Sequence, residues 1–185
     1  MGKQSNFEYC IGAVSTTLGT VAFIWSAKGL VANSFFYKSL GSALKEIAPL
    51  ARKLGIEKVE VSKSDAPPAW IGKFFTAYAN GDGKTCKRLL SDSAKFDFAL
   101  ATDHRKKVWN SMLSIPWGAT ATYGELSAKI KSAPRAVGGA CGANRCPVII
   151  PCHRVIGAGG DLRGFGGGIK LKAMLLAHEG IQAVG

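Results

Sequence analysis

The chain has 185 residues, with 24 Lys and Arg against 12 Asp and Glu and a formal charge of +12. A hydrophobic content of 47% with 19% charged residues excludes a chain disordered throughout, and the length allows one or two domains with a buried core. No apolar run reaches the ~18 residues that span a bilayer, and Met1 to Asn6 lack the apolar core of a signal peptide; the expectation is a cytoplasmic protein, no membrane association, and a basic excess suited to nucleic acid or simply to a soluble basic surface.

Phe7, Tyr9, Ile11 and Ala13 alternate, as do Val21, Phe23 and Trp25, and the run Leu30 to Phe36 follows Lys28-Gly29. This period of two predicts an antiparallel meander of short strands. Leu40, Leu44, Ile47, Ala51 and Leu54 share one helical face, with Pro49 expected to break or restart the helix. Lys58 to Val61 reads as one more strand. Trp70, Ile71, Phe74, Phe75 and Tyr78 form a helical stripe of core residues, ended by Asn80-Gly81-Asp82-Gly83. Phe96 and Phe98 suit a last short strand.

Between Leu90 and Asp103 the character changes, which divides the chain into an N-terminal α+β domain, 1–97, and a C-terminal domain, 98–185. Thr102 or Asp103 caps a helix containing Val108, Trp109, Met112 and Leu113, ended by Ile115-Pro116-Trp117-Gly118. Two helices follow, Gly124 to Ile130 and Pro134 to Ala143, and their tight connection suggests a helix-turn-helix. A last helix covers Lys170 to His178, with Gly180 to terminate it. The fold class is therefore α+β: a small antiparallel sheet with helices, then a mainly helical domain.

Three features of the second half bear on chemistry. The helix Pro134-Arg135-Ala136-Val137-Gly138-Gly139-Ala140 is rich in Gly and Ala, and glycine costs a helix about 1 kcal/mol relative to alanine. It suits either close packing inside the core or a thin surface entering a narrow groove, such as the ~6 Å minor groove of DNA. Five cysteines, Cys10, Cys86, Cys141, Cys146 and Cys152, with no C-x-x-C pair argue against a disulfide framework, and with His153 they make a weak metal set. In Pro147-Val148-Ile149-Ile150-Pro151-Cys152-His153-Arg154-Val155 a strand-like run stops at a proline and meets Cys-His-Arg. Arg154 can lower the thiol pKa, His153 or its water can take the proton, and Glu179 can orient the histidine; a structural Cys beside a core His is the plainer reading. The later clusters Gly157 to Asp161 and Gly164 to Gly168 expose backbone amides, and match neither a phosphate loop nor a dinucleotide fingerprint.

With Ile150-Pro151-Cys152-His153-Arg154-Val155 on the page, the chain resembles the O6-alkylguanine-DNA alkyltransferase (methylated-DNA–protein-cysteine methyltransferase) family. Arg135-Ala136-Val137-Gly138-Gly139-Ala140 with Asn144, Tyr123 upstream and Leu176-Ala177-His178-Glu179-Gly180 downstream agree in order and spacing, over about residues 104–181. The resemblance implies direct-reversal repair: a damaged guanine flips out of the duplex, and its O6 alkyl group passes irreversibly to Cys152 in a single turnover. O4-alkylthymine is a second substrate it allows. It further implies His153 as a base acting through water, Glu179 as its support, Tyr123 turning the target and donating a proton, and Arg135 filling the vacated stack. Ala136, Gly138 and Gly139 would line the DNA, Asn144 would brace the active-site turn, and Val155, Phe165 and Gly166 would line the pocket. No metal or cofactor is implied; the partner is double-stranded DNA containing O6-alkylguanine, and the protein is a monomer. Phe165 stands where many members have Tyr, and the N-terminal half lacks the zinc ligands some members carry. A sequence-specific DNA-binding regulator and a cysteine hydrolase are the rival readings.

Overall fold

The computed structural model describes residues 9–62, 66–92, 94–98 and 100–182; residues 1–6 and Phe7, used above, lie outside the described residues. The chain clusters into two compact units, residues 1–80 with 88–97, and residues 81–87 with 98–185.

In the first unit the alternating segments form β1 (Cys10–Thr16), β2 (Gly19–Ser26) and β3 (Gly29–Asn33), paired antiparallel in the order β1-β2-β3. Gly29 sits at φ +135, and a Cβ there would overlap the Lys95 carbonyl, which accepts the Leu30 N–H at 2.8 Å. Only glycine lets these two backbones approach so closely. Helix α1 (Leu40–Lys53) lays Ala43, Ile47 and Ala51 on Ile11, Ala22, Ile24 and Val31. Helix α2 (Ala69–Ala79) buries Trp70, Ile71, Phe74, Phe75 and Tyr78, the stripe read from the sequence.

Three expectations are corrected here. Pro49 does not break α1: it lies on the solvent side, as does Lys45, whose carbonyl would have received the missing N–H, so water can satisfy that carbonyl. Lys58 to Val61 is no strand. Val59 packs against the core cluster while Glu57, Lys58 and Glu60 are exposed, and the backbone bond to β1 falls just beyond, where the Ser62 N–H donates to the Ile11 carbonyl at 2.7 Å. Phe96 forms an isolated bridge with Leu30 and not a strand. Helix α3 (Gly83–Asp92) follows directly on Asn80 to Gly83, which ends α2 but also starts the next helix: the Asp82 carboxylate accepts the Thr85 N–H at 2.9 Å.

In the second unit Thr102, not Asp103, caps α4 (Asp103–Leu113). The short strands β4 (Ala121–Thr122) and β5 (Val155–Ile156) pair in parallel. Helix α5 (Tyr123–Ile130) opens on a capping box of Thr122 and Glu125, and Lys131 turns the chain at φ +53 into α6 (Pro134–Gly142), giving the helix-turn-helix. Helix α7 (Ile169–His178) buries Lys172, Leu175 and Leu176. The run before Pro151 is a turn, not a strand: the Ile150 N–H donates to the Cys146 carbonyl at 2.8 Å, and Val148 is held at φ +72. A β-branched residue in the left-handed region is sterically unfavourable, so local apolarity alone predicted the wrong conformation. The architecture is α+β, and among the described residues no helix is long and apolar enough to cross a membrane.

Candidate active site

Cys152, His153 and Arg154 form a single 3-10 turn between Pro151 and β5, and all three are buried. Asn144, just beyond α6, braces it. Its Nδ2 donates to the Ile150 carbonyl at 2.8 Å and to Cys152 Sγ at 3.1 Å, while its Oδ1 accepts the Cys146 N–H at 3.0 Å. Burial pushes the Cys152 thiol pKa up, opposed by the Asn144 hydrogen bond and by the charge of Lys172. The resting group is thus a thiol, and a base is needed to release the thiolate.

His153 is fully buried, and its Nε2 lies 2.6 Å from Glu179 Oε1. Burial lowers the pKa of His153 against the pull of Glu179, which keeps the ring neutral. Burial alone would raise Glu179, but hydrogen bonds from His153 and Arg154 hold its carboxyl down to about 2. With Glu179 ionised, Nε2 carries the ring proton, and Nδ1 is the basic nitrogen.

Two positive charges occupy places that the sequence did not indicate. Arg154 does not serve the thiol. Its Nε and Nη2 donate to the two oxygens of Glu179 at 2.7 and 3.1 Å, and its Nη1 to the Ile115 carbonyl at 2.7 Å. A buried carboxylate is the stronger claimant for a planar guanidinium. Lys172 supplies the charge felt by Cys152. It is fully buried, and its Nζ donates to the Val155 carbonyl at 2.6 Å and the Arg163 carbonyl at 3.3 Å. The sequence signal for Lys172 was its place, three and four residues before Leu175 and Leu176 on the apolar face of α7.

Tyr123 opens α5. Its hydroxyl donates to the Arg163 carbonyl at 3.4 Å, and burial pushes its pKa up to about 12, with Cys141 and Cys152 adding to the rise. Tyr123 and Lys172 therefore share one carbonyl of the glycine-rich segment. Phe165 is half-buried and Gly166 exposed in that segment, while Val155 is buried in β5. On α6, Arg135, Ala136 and Gly139 are exposed and Gly138 is half-buried. A Cβ on Gly139 would meet nothing within 4 Å, and one on Gly138 only Tyr123 Cε1 at 3.9 Å. Packing within the chain does not require these glycines, and they leave α6 thin on this side. None of the five cysteines is in a disulfide, and among the described residues no three His, Cys, Asp or Glu side chains cluster as metal ligands would.

Fold and site define a class: an α+β protein whose helix-turn-helix adjoins a buried Cys-His-Glu constellation. Residues 103–181 match the family described as 6-O-methylguanine DNA methyltransferase, DNA binding domain. The methylated-DNA–protein-cysteine methyltransferase of Candida albicans is 36% identical over 154 residues, covering 83% of this chain and 77% of that protein. Among solved structures, the O6-methylguanine-DNA methyltransferase of Pyrococcus kodakaraensis KOD1 superposes with a TM-score of 0.70 at 27% identity, over 94% of this chain and 99% of that one. Mycobacterium tuberculosis OGT in complex with DNA gives 0.64 at 27% identity, over 91% of both chains. The chain belongs to the methylated-DNA–protein-cysteine methyltransferase family, the one its Ile150 to Val155 motif resembled.

Proposed function

We propose that this protein repairs alkylated DNA by direct reversal, moving the alkyl group of O6-alkylguanine to Cys152 in a single turnover. The observation that carries the reading is the buried His153–Glu179 pair, 2.6 Å apart, on the turn that presents Cys152. His153 Nδ1 takes the thiol proton through a water. The thiolate attacks the alkyl carbon, the Sγ–C bond forms and the C–O6 bond breaks, and the electron pair returns to the purine. Tyr123 supplies the proton that the guanine ring regains and is reprotonated from solvent as His153 gives up the thiol proton, so the transfer balances with the groups named. The product is a thioether, which no group in this site can displace.

Asn144 and Lys172 support the nucleophile, through the hydrogen bond to Sγ and through charge. The pocket reading takes Val155, Phe165 and Gly166 as walls for the flipped base. On the DNA side, Arg135 fills the vacated stack, and the bare face of Ala136, Gly138 and Gly139 lies in the minor groove, whose degenerate pattern suits a lesion-directed protein. The partner is double-stranded DNA, bound by a monomer in the cytoplasm. Residues 98–185, with the segment Gly81–Lys87 that clusters with them, form the alkyltransferase and DNA-binding domain, and the rest of residues 1–97 the N-terminal domain.

The test is mass spectrometry after mixing with duplex DNA carrying O6-methylguanine. One methyl group is expected on the Cys152 peptide, one per protein, and none in Cys152→Ala. Lesion DNA bound by protein whose Cys152 stays unmodified would refute the reading, and O4-methylthymine duplex in the same assay decides the second substrate.

A further inference from the structure

Behind Glu179 lies a layer of residues outside the motif. The guanidinium carbon of Arg154 stands 5.9 Å from the centroid of the Trp117 ring. The His178 ring meets Trp117 edge-on at 6.0 Å. Gly83, at the start of α3, is closer still: a Cβ there would come within 2.5 Å of Trp117 Cγ and 2.6 Å of Cδ2, nearer than real side chains approach. Cys86, less than one turn on, is buried, and Arg154 and Glu179 both bear on its thiol. These contacts account for the clustering of Gly81–Lys87 with the second unit, away from its neighbours in sequence. Gly118, at φ +73, then turns the chain beneath the Glu179 carbonyl, where a Cβ would stand 3.4 Å away.

We propose that Trp117, wedged against Gly83, is a positioning residue for alkyl transfer: it fixes the guanidinium plane of Arg154, and Arg154 holds Glu179 where His153 uses it. This rests on the reading of His153 and Glu179 as the relay. The physical need is specific. Arg154 spans both carboxylate oxygens and the Ile115 carbonyl at once, and a planar fork does so in only one orientation. An aromatic wall on one side removes the other orientations and adds a cation–π attraction. Without it the guanidinium swings, one carboxylate bond is lost, and the His153–Glu179 geometry loosens. His153, Arg154, Cys86 and Lys172 are among the ionisable groups that bear on Glu179 or its histidine. Losing part of Arg154 leaves Glu179 easier to protonate, and a neutral Glu179 accepts the His153 Nε2–H more weakly and no longer stabilises charge on the ring.

The test is single-turnover methyl transfer from O6-methylguanine duplex at saturating DNA, across pH, for Gly83→Ala, Trp117→Ala and Trp117→Phe. Gly83→Ala is the sharpest variant, since helix propensity favours alanine while its Cβ displaces Trp117. Expected is a loss on the order of ten- to a hundredfold in Gly83→Ala and Trp117→Ala, recovery toward wild type in Trp117→Phe, and an acid limb shifted to higher pH in the slow variants. Val108→Ala, a core change in α4 away from the relay, controls for general loosening. Wild-type rates, or losses no larger than in Val108→Ala at equal loss of thermal stability with the acid limb unmoved, overturn the proposal. Glu179→Gln separates the failures. If it too reacts at the wild-type rate, the relay reading itself falls; if it is slow while the Trp117 and Gly83 variants are not, only the role of Trp117 falls.

Discussion

Glu179 receives a ring N–H from His153 and two guanidinium N–H groups from Arg154 in a site closed to solvent. Its carboxyl is held at about 2, against an ordinary value of 4.5. A depressed carboxyl contributes stability that is complete above the unfolded value and vanishes as pH falls through the folded one. Integrated over that gap the contribution is about 3 kcal/mol. Urea midpoints of the wild type are therefore expected to fall steeply between about pH 4.5 and pH 2, while Glu179→Gln, less stable at neutral pH, shows a much shallower decline over the same range. Parallel declines in the two proteins would show that Glu179 is not the group that titrates. Cys152 and His153 were legible in the sequence because the motif is contiguous, and Glu179 because it fits the same pattern at a distance. Lys172 was marked only by its place on the apolar face of α7, and Trp117 and Gly83 not at all, since each acts by what it packs against and a lone Trp or Gly looks the same in sequence anywhere.

At the level of elements, α6 carries a contradiction between helix propensity and use. Gly139 has no neighbour that a methyl group would touch, so Gly139→Ala is expected to raise stability by about 1 kcal/mol in thermal or urea unfolding. The same methyl group thickens the face assigned to the minor groove, so affinity for duplex DNA is expected to drop several-fold. A variant both more stable and equally tight on DNA would remove that face from the interface. Elements whose own residues dictate them were legible: β1 and β2 by alternation, β3 by its apolar run, α2 by its stripe. Those decided by tertiary context were not. Pro49 is tolerated because it and Lys45 lie on the exposed side of α1, and α3 begins at glycines that read as a stop. The buried turn through Val148 keeps a left-handed valine because Asn144 ties it at both ends.

Over the whole molecule the charge of +12 divides into 11 Lys and Arg against 4 Asp and Glu for residues 103–185, and 13 against 8 for residues 1–102. The structure changes what that excess means. Arg154 and Lys172 are buried and committed to Glu179 and to backbone carbonyls, so their charges belong to the reaction centre. Arg105, Lys107, Lys131, Arg135 and Lys170 are exposed and can meet phosphate. The two groups must respond differently to salt. Surface cations release counterions on binding DNA, and a protein neutralising about four phosphates loses on the order of a hundredfold in affinity between ~50 and ~200 mM salt. Charges buried in the site are scarcely screened over that range. The rate of Cys152 alkylation by subsaturating O6-methylguanine duplex should therefore collapse with added salt, while alkylation by the free O6-alkylguanine base should change by less than about twofold. Equal sensitivity of the two substrates would place the salt effect at the reaction centre, and the surface charge would then have no separate part in finding DNA.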